Sequence, residues 1–446
     1  MLTKVSLFCL MALVWVASWG EAAGEAPPSS PAAETRRASH EPLWAGAAKE
    51  EITPTERVYL AGFGPNRASR GVHDPLHARA LVLKQGEVTI GLVVLDLLGL
   101  WGDDVRRIKR GAKEILGDRL IVASTHDHSA PDLIGAWGPS LLGLGLLPYR
   151  SGVDRDYLRL LRRKVVSSLR AAHRNLREAR LKFASTQVDG VSVNIRDRSR
   201  LDKELVALRV EAAPGGETIA TLINFACHAE VLWSNNRLVT ADFPGYLCRK
   251  VEEELGGTAL FFNAALGGMV TANVARDSRG KELHTFAEAE RIGHTLARAA
   301  VEALRSGQPA VDPELSWKSA ELAIPFENWR YRWARRFGIL KRKLDDGRLR
   351  TEVAVVGIGP GQMVTVPGEP LPNLGWELKK MMGGPYKFVL GLAGDELGYI
   401  LDEQDFSKRR YAYERSMSVS RQTWPIVYRA LKGLLQEQEA GHPIAR

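Results

Sequence analysis

The chain has 446 residues, 45% of them hydrophobic and 25% charged, a balance that fits a globular protein with a large core and excludes a disordered or fibrous chain. Its 61 Lys and Arg against 52 Asp and Glu leave a mild excess of +9, spread along the sequence. No helix-turn-helix, zinc-finger or RNA-recognition pattern occurs, so no nucleic-acid partner is expected.

Residues 1–23 read as a signal peptide. Lys4 is followed by an apolar run from Val5 to Trp19 and a small-residue exit at Ala22, Ala23 and Gly24. A membrane anchor is the alternative, but the run falls short of the roughly 20 residues a spanning helix needs. Cys9 follows Phe8 rather than the small residue of a lipoprotein site, so lipid anchoring is not expected. The mature protein is therefore expected to be secreted or periplasmic. Residues 24–40, rich in Pro, Ala and Ser, read as a disordered linker. Of the three cysteines, Cys227 and Cys248 remain after cleavage; they can pair in an oxidising compartment or stay as core thiols.

From residue 79 apolar runs alternate with amphipathic ones. "ARALVLKQGEVTIGLVVLDLLGL" holds two strands joined at Gln85–Gly86. "DDVRRIKRGAKEIL" places Val105, Ile108, Ala112, Ile115 and Leu116 at helical spacing, and "RLIVAST" is the next strand. A basic helix follows over 154–178, then strands at 205–211 and 218–226, a helix at 243–255, a strand at 258–263 and a helix at 284–305. Further strands are expected over 352–366 and 386–392. The pattern predicts one α/β domain over 41–440, with layered mixed β-sheets flanked by helices and a site at strand carboxyl ends.

Four strand ends carry candidate donors. "THDHS" puts His126 and His128 after a buried strand, on one side if the backbone is extended, with Asp127 on the other. Such a pair suits a metal, an acid–base role, or simple capping of the strand. His228 ends a second strand in "NFACHAEVL", Glu369 sits between Gly368 and Pro370 in "VPGEP", and Tyr399 follows a fourth strand in "GDELGYI". Two histidines, a carboxylate and a further donor match the ligands zinc prefers.

Taken together and in order, these motifs resemble the catalytic domain of the neutral (non-lysosomal) ceramidases over about residues 44–425. "GFGP" and "RGVHDPLHARALVL" are similar to the family's opening, "THDHSAP" to its histidine loop, "NFACHAEVL", "VPGEP" and "GYILDEQDFSKRRYAYE" to its later site segments. The resemblance implies a zinc ion held by His126, His228, Glu369 and Tyr399. It also implies that His128, Arg196 in "VNIRDRS" and Tyr413 in "YAYERS" contact a scissile amide; Arg198 and Tyr411 compete for the last two places. The implied activity is cleavage of the N-acyl amide of a ceramide-like lipid by a zinc-activated water. A zinc hydrolase acting on another envelope amide or ester, or a silent envelope-binding homologue, are the alternatives. Gly267–Gly268 stands where the family carries a Gly-Asp pair, and the C-terminal β-sandwich of larger members is not expected here.

Two more stretches suit a lipid. "GPSLLGLGLLPY" (138–149) is either an apolar lip for acyl chains or a buried connector. "RYRWARRFGILKRK" (330–343) carries seven basic residues among aromatics, and is either a solvated helix face or a peripheral contact with a membrane surface.

Overall fold

Strands whose side chains alternate between two faces, most of them buried on both, build two main sheets. The computed structural model describes residues 41–140 and 148–441, and from Glu41 onward the chain is one compact unit. The expected signal peptide, the expected linker and residues 141–147 of the apolar stretch lie outside the described residues.

The larger sheet has nine strands. Its main path runs Thr258–Asn263, Thr218–Phe225, Glu204–Ala212, Arg177–Gln187, Trp44–Glu51, His77–Gln85, Val88–Leu95 and Leu120–Ser124. The smaller sheet orders Leu315–Pro325, Arg348–Ile358, Gly361–Thr365 and Tyr386–Leu390. Alternate side chains point into the space between the sheets: Leu92, Leu222 and Leu260 from one, Val356, Met363 and Phe388 from the other. Their neighbours point outward. Val93 and Leu95 pack on the helices Gly102–Leu116 and Arg155–Arg174 through Ile108, Leu161 and Val165. Phe261 packs on Asp242–Leu255 and Phe286–Arg305. Val355 and Val364 of the smaller sheet pack on Pro372–Met381 and Thr423–Gly441. The result is four layers, helix–sheet–sheet–helix, in the α/β class the sequence predicts. Each fully buried Leu, Ile or Phe contributes about 1.5–3 kcal/mol.

Some boundaries differ from expectation. The run 352–366 is a hairpin of Arg348–Ile358 and Gly361–Thr365, turning at Gly359 with φ +55°. The basic helix stops at Arg174, because a strand begins at Arg177. Cys227 and Cys248 are both buried and form no disulfide among the described residues.

Three strand ends are tied together by Asn263, which is fully buried. Its amide donates to the carbonyls of Thr125 (3.0 Å) and Cys227 (2.8 Å), and its oxygen accepts from Cys227 N–H at 3.0 Å. Its own carbonyl accepts from Gly391 N–H. The next residue, Leu392, donates to Gly368 O. The partners lie beside His126, His228 and Glu369 in sequence. Asn224 works in parallel, donating to Phe262 O and to Val389 O in the smaller sheet.

Asn263→Ala removes these side-chain bonds and leaves buried backbone groups unpaired, so it should cost about 3 kcal/mol. The melting temperature of the purified variant checks this; an unchanged value would show that the strand ends are held by other contacts.

Candidate metal centre

Each candidate donor is aimed by its backbone. His126 follows the strand Leu120–Ser124 and has a left-handed φ of +65°, a conformation that non-glycine residues hold only where surroundings impose it. Its Nδ1 donates to Leu98 O at 3.0 Å. His228 follows Thr218–Phe225, and its Nδ1 donates to Val270 O at 2.9 Å. A carbonyl only accepts, so both rings carry a proton on Nδ1 and aim Nε2 at the centre, where that of His228 donates to Glu369 Oε2 at 3.1 Å. A ring N–H held by a backbone carbonyl, leaving the other nitrogen to face an ion, is expected of metal-binding histidines.

The two Nε2 atoms converge on one carboxylate oxygen. Glu369 Oε2 lies 3.1 Å from His228 Nε2 and 3.5 Å from His126 Nε2. Glu369 pairs with Tyr399 in a short parallel ladder, which sets the phenol beside the carboxylate. Tyr399 Oη is 3.5 Å from His228 Nε2 and donates to Met269 Sδ at 3.4 Å. Gly368 is required here: a Cβ on it would stand 2.5 Å from Gly398 O. The Gly267–Gly268 pair has a similar cause. Gly267 N–H bonds Pro370 O, and a Cβ at Gly267 would meet Glu369 O at 2.5 Å.

His128 joins the same cluster. Its ring lies edge-on to His126 at 4.8 Å and to Phe63 at 5.0 Å, and one ligand atom from each of His126, His128 and His228 falls within 4.8 Å of the others. Neither ring nitrogen of His128 has a hydrogen-bond partner among the described residues; Nδ1 lies 3.5 Å from Glu230 Oε2. The Gly62 backbone presses on this ring, since a Cβ there would meet Nδ1 at 2.3 Å. As expected, Asp127 turns away: it is fully buried and accepts from Ser129 N–H at 2.8 Å.

Burial sets the charges. It holds His126 down to about 4 against the pull of Glu369, and holds His128 well below the usual range, helped by His126 and His228. Burial also acts on His228, but the bond to Glu369 and the charge of Glu230 outweigh it and push the ring up to about 9. Glu369 stays below the carboxylate range because the two histidines overcome its burial. An ion pair of this kind, with imidazole and carboxylate facing one point, is compatible with a metal site.

The cluster forms the floor of a cavity walled by Leu98, Trp101, Ile134, Tyr331, Leu340 and Tyr413, with Glu396 among them. Tyr413 lines it, whereas Tyr411 is buried in the outer core around Leu371 and Leu374. Arg196 stands one layer behind. Its Nε bonds Glu414 Oε1 at 2.6 Å, and its guanidinium lies 5.8 Å from the Tyr413 ring. Arg198 is exposed. Sequence reasoning passed over Glu230 and Glu396. Glu230 sits two residues after His228 in a motif already singled out, and Glu396 three before Tyr399.

The family model described as neutral/alkaline non-lysosomal ceramidase, N-terminal, matches residues 44–281, more than half of the 446. Curated relatives named neutral ceramidase are 22% identical over 222 residues in Mycobacterium tuberculosis and 26% over 235 residues in Drosophila melanogaster. These matches cover 44% and 47% of this chain and 34% and 32% of the relatives, so they span about a third of each relative's length. The crystal structure of neutral ceramidase from Pseudomonas aeruginosa matches with a TM-score of 0.75 at 16% identity, covering 91% of this chain and 76% of that one. At that identity the likeness establishes the fold. Glu369, Tyr399 and Tyr413 lie beyond the family-model match.

His126→Ala, His228→Ala and Glu369→Gln should each lower metal affinity by at least about tenfold, since even partners behind the ligands carry that much. Elemental analysis of the purified variants is the check, and full metal content in both histidine variants would remove them from the ligand set.

Proposed function

The chain belongs to the neutral/alkaline non-lysosomal ceramidase family, and from that premise we propose that it is a zinc-dependent amidohydrolase acting on N-acyl, ceramide-like lipids. One observation carries the reading: buried imidazoles held through Nδ1 by backbone carbonyls meet Glu369 at the floor of a largely apolar cavity. His126, His228, Glu369 and Tyr399 would hold the ion. Zinc at such a site supplies a Lewis acid and lowers the pKa of water toward neutrality.

The remaining roles fall to the chain. Leu98, Ile134 and Leu340 offer an acyl chain an apolar wall. Burial pushes the Tyr413 phenol up to about 12, so it keeps its proton and can donate to the substrate carbonyl oxygen. Arg196 holds that ring from behind. His128, whose ring nitrogens have no hydrogen-bond partner among the described residues, is placed to take a proton from the attacking water and give it to the amine nitrogen as the C–N bond breaks. Glu230 sits where it orients that ring. The proposal also places the mature protein outside the cytoplasm, a reading supported by the sequence of residues 1–23.

With a fluorescent N-acylsphingosine and zinc-loaded protein, His128→Ala should leave zinc content and melting temperature nearly unchanged. Amide turnover should fall by roughly 10²–10⁴, the range for a positioned proton carrier, and that of an ester with a good leaving group should fall less. Full amide activity would take His128 out of the mechanism, and lost zinc would make it a ligand. Zinc-loaded wild type that leaves N-acylsphingosine intact would sink the lipid-amide reading itself.

A further inference from the structure

The helix Trp329–Arg336 has two unlike faces. Tyr331 and Ala334 face inward: Tyr331 lines the cavity and donates to Met417 O at 3.0 Å, and Ala334 packs with Ile339, Leu340, Leu98 and Trp101. Trp329, Trp333 and Phe337 recur every fourth residue, so they form one stripe along the other side. They are 70%, 44% and 63% exposed, with the Trp333 and Phe337 rings 4.5 Å apart. Three large aromatics in a row facing solvent form an apolar patch of the kind that marks an interaction site.

The charges carried by the segment itself are all of one sign, Glu327 lying just before it. Arg330, Arg332, Arg335 and Arg336 are exposed, Lys341 and Lys343 continue the run, and no acidic residue occurs between Asn328 and Leu344. None of these six side chains is in an ion pair among the described residues. A surface made of aromatic rings flanked by unpaired cations complements one medium in particular, the interface of an anionic bilayer: rings suit the headgroup boundary and guanidinium groups its phosphates. No helix among the described residues is long and apolar enough to cross a membrane, so the contact would be peripheral.

We infer that Trp329, Trp333 and Phe337, with their flanking arginines, dock the protein on anionic phospholipid surfaces. The dock places the cavity wall about one helix diameter, some 10–12 Å, from the lipid. This rests on the proposed lipid amidase only for its purpose; the surface chemistry stands without it.

The test is cosedimentation of the intact protein with phosphatidylcholine vesicles containing or lacking phosphatidylglycerol. Wild type should bind the anionic vesicles, and binding should weaken as salt screens the arginines. Trp329→Ser/Trp333→Ser/Phe337→Ser should lower partitioning by at least about tenfold, with melting temperature and turnover of a short-chain, water-soluble N-acyl substrate unchanged. A second variant, Arg332→Gln/Arg336→Gln, should abolish the preference for anionic vesicles. Failure of wild type to bind either vesicle, or undiminished binding by the aromatic variant, would overturn the proposal. The readout is binding, so a chain that docks but cleaves no amide would fail the proposed function and leave the dock standing.

Discussion

The site depends on one buried amide. Asn263 ends an apolar strand where a hydrophobic side chain would otherwise sit, yet it is fully enclosed. It is tolerated because its donors and acceptor are used on the backbone of two other strand ends. Those ends emit His126 and His228. Through Gly391 and Leu392 the same residue reaches Gly368 and thus Glu369. A metal site requires ligand distances within about 0.2 Å, and loops alone do not hold that tolerance. A side chain that fixes three chain segments at once does.

What surrounds that hub is costly to bury. Burial pushes Asp127, Glu230 and Glu396 above the carboxylate range. Asp242 rises to about 7 for the same reason, although Phe243, Leu232 and Val231 N–H groups pull against it. Among the described residues, both His128 nitrogens, Glu230 Oε1, Glu396 Oε2 and Glu414 Oε2 lack hydrogen-bond partners. Folded proteins carry few such atoms, and here several collect around one cavity. Stability alone would replace them with Leu or Phe. Their concentration at one place fits a site maintained for chemistry, which is where natural chains depart from good packing.

The sequence disclosed the site because each donor ends an apolar run, where a polar residue is conspicuous. His126 and His128 were expected on one side of an extended segment. Their rings do meet, although His126 is left-handed rather than extended, because Gly62 and Phe63 and the bond to Leu98 O set the ring positions. Arg196, which the resemblance places at the amide, pairs with the fully buried Glu414, a long-range contact no local pattern encodes. Strands with one wet face escaped for another reason. Leu315–Pro325 carries Lys318, Ser319 and Glu321 toward solvent, so no apolar run marks it. Asn263 and Glu396 were legible only as single polar residues next to buried strands, and the partners of Asn263 lie 36 and 138 residues away in sequence.

The helix Trp329–Arg336 joins chemistry to location. Its inner face completes the cavity, so it cannot be removed without opening the site, and its outer face carries the aromatic stripe. The segment beyond it returns to the core through Arg342, which is buried against Asp395 immediately before Glu396. Asp395 in turn accepts from the N–H of Gly102 at the start of a helix. The stripe is therefore mounted on a braced wall and not on a free loop. In the proposed dock, a braced surface would meet a membrane in one orientation and so fix the direction in which the cavity faces. For the proposed substrate, whose acyl chains would lie in the bilayer, that orientation would matter as much as the proposed ligands, because the amide would reach Glu369 and the histidines from one side only.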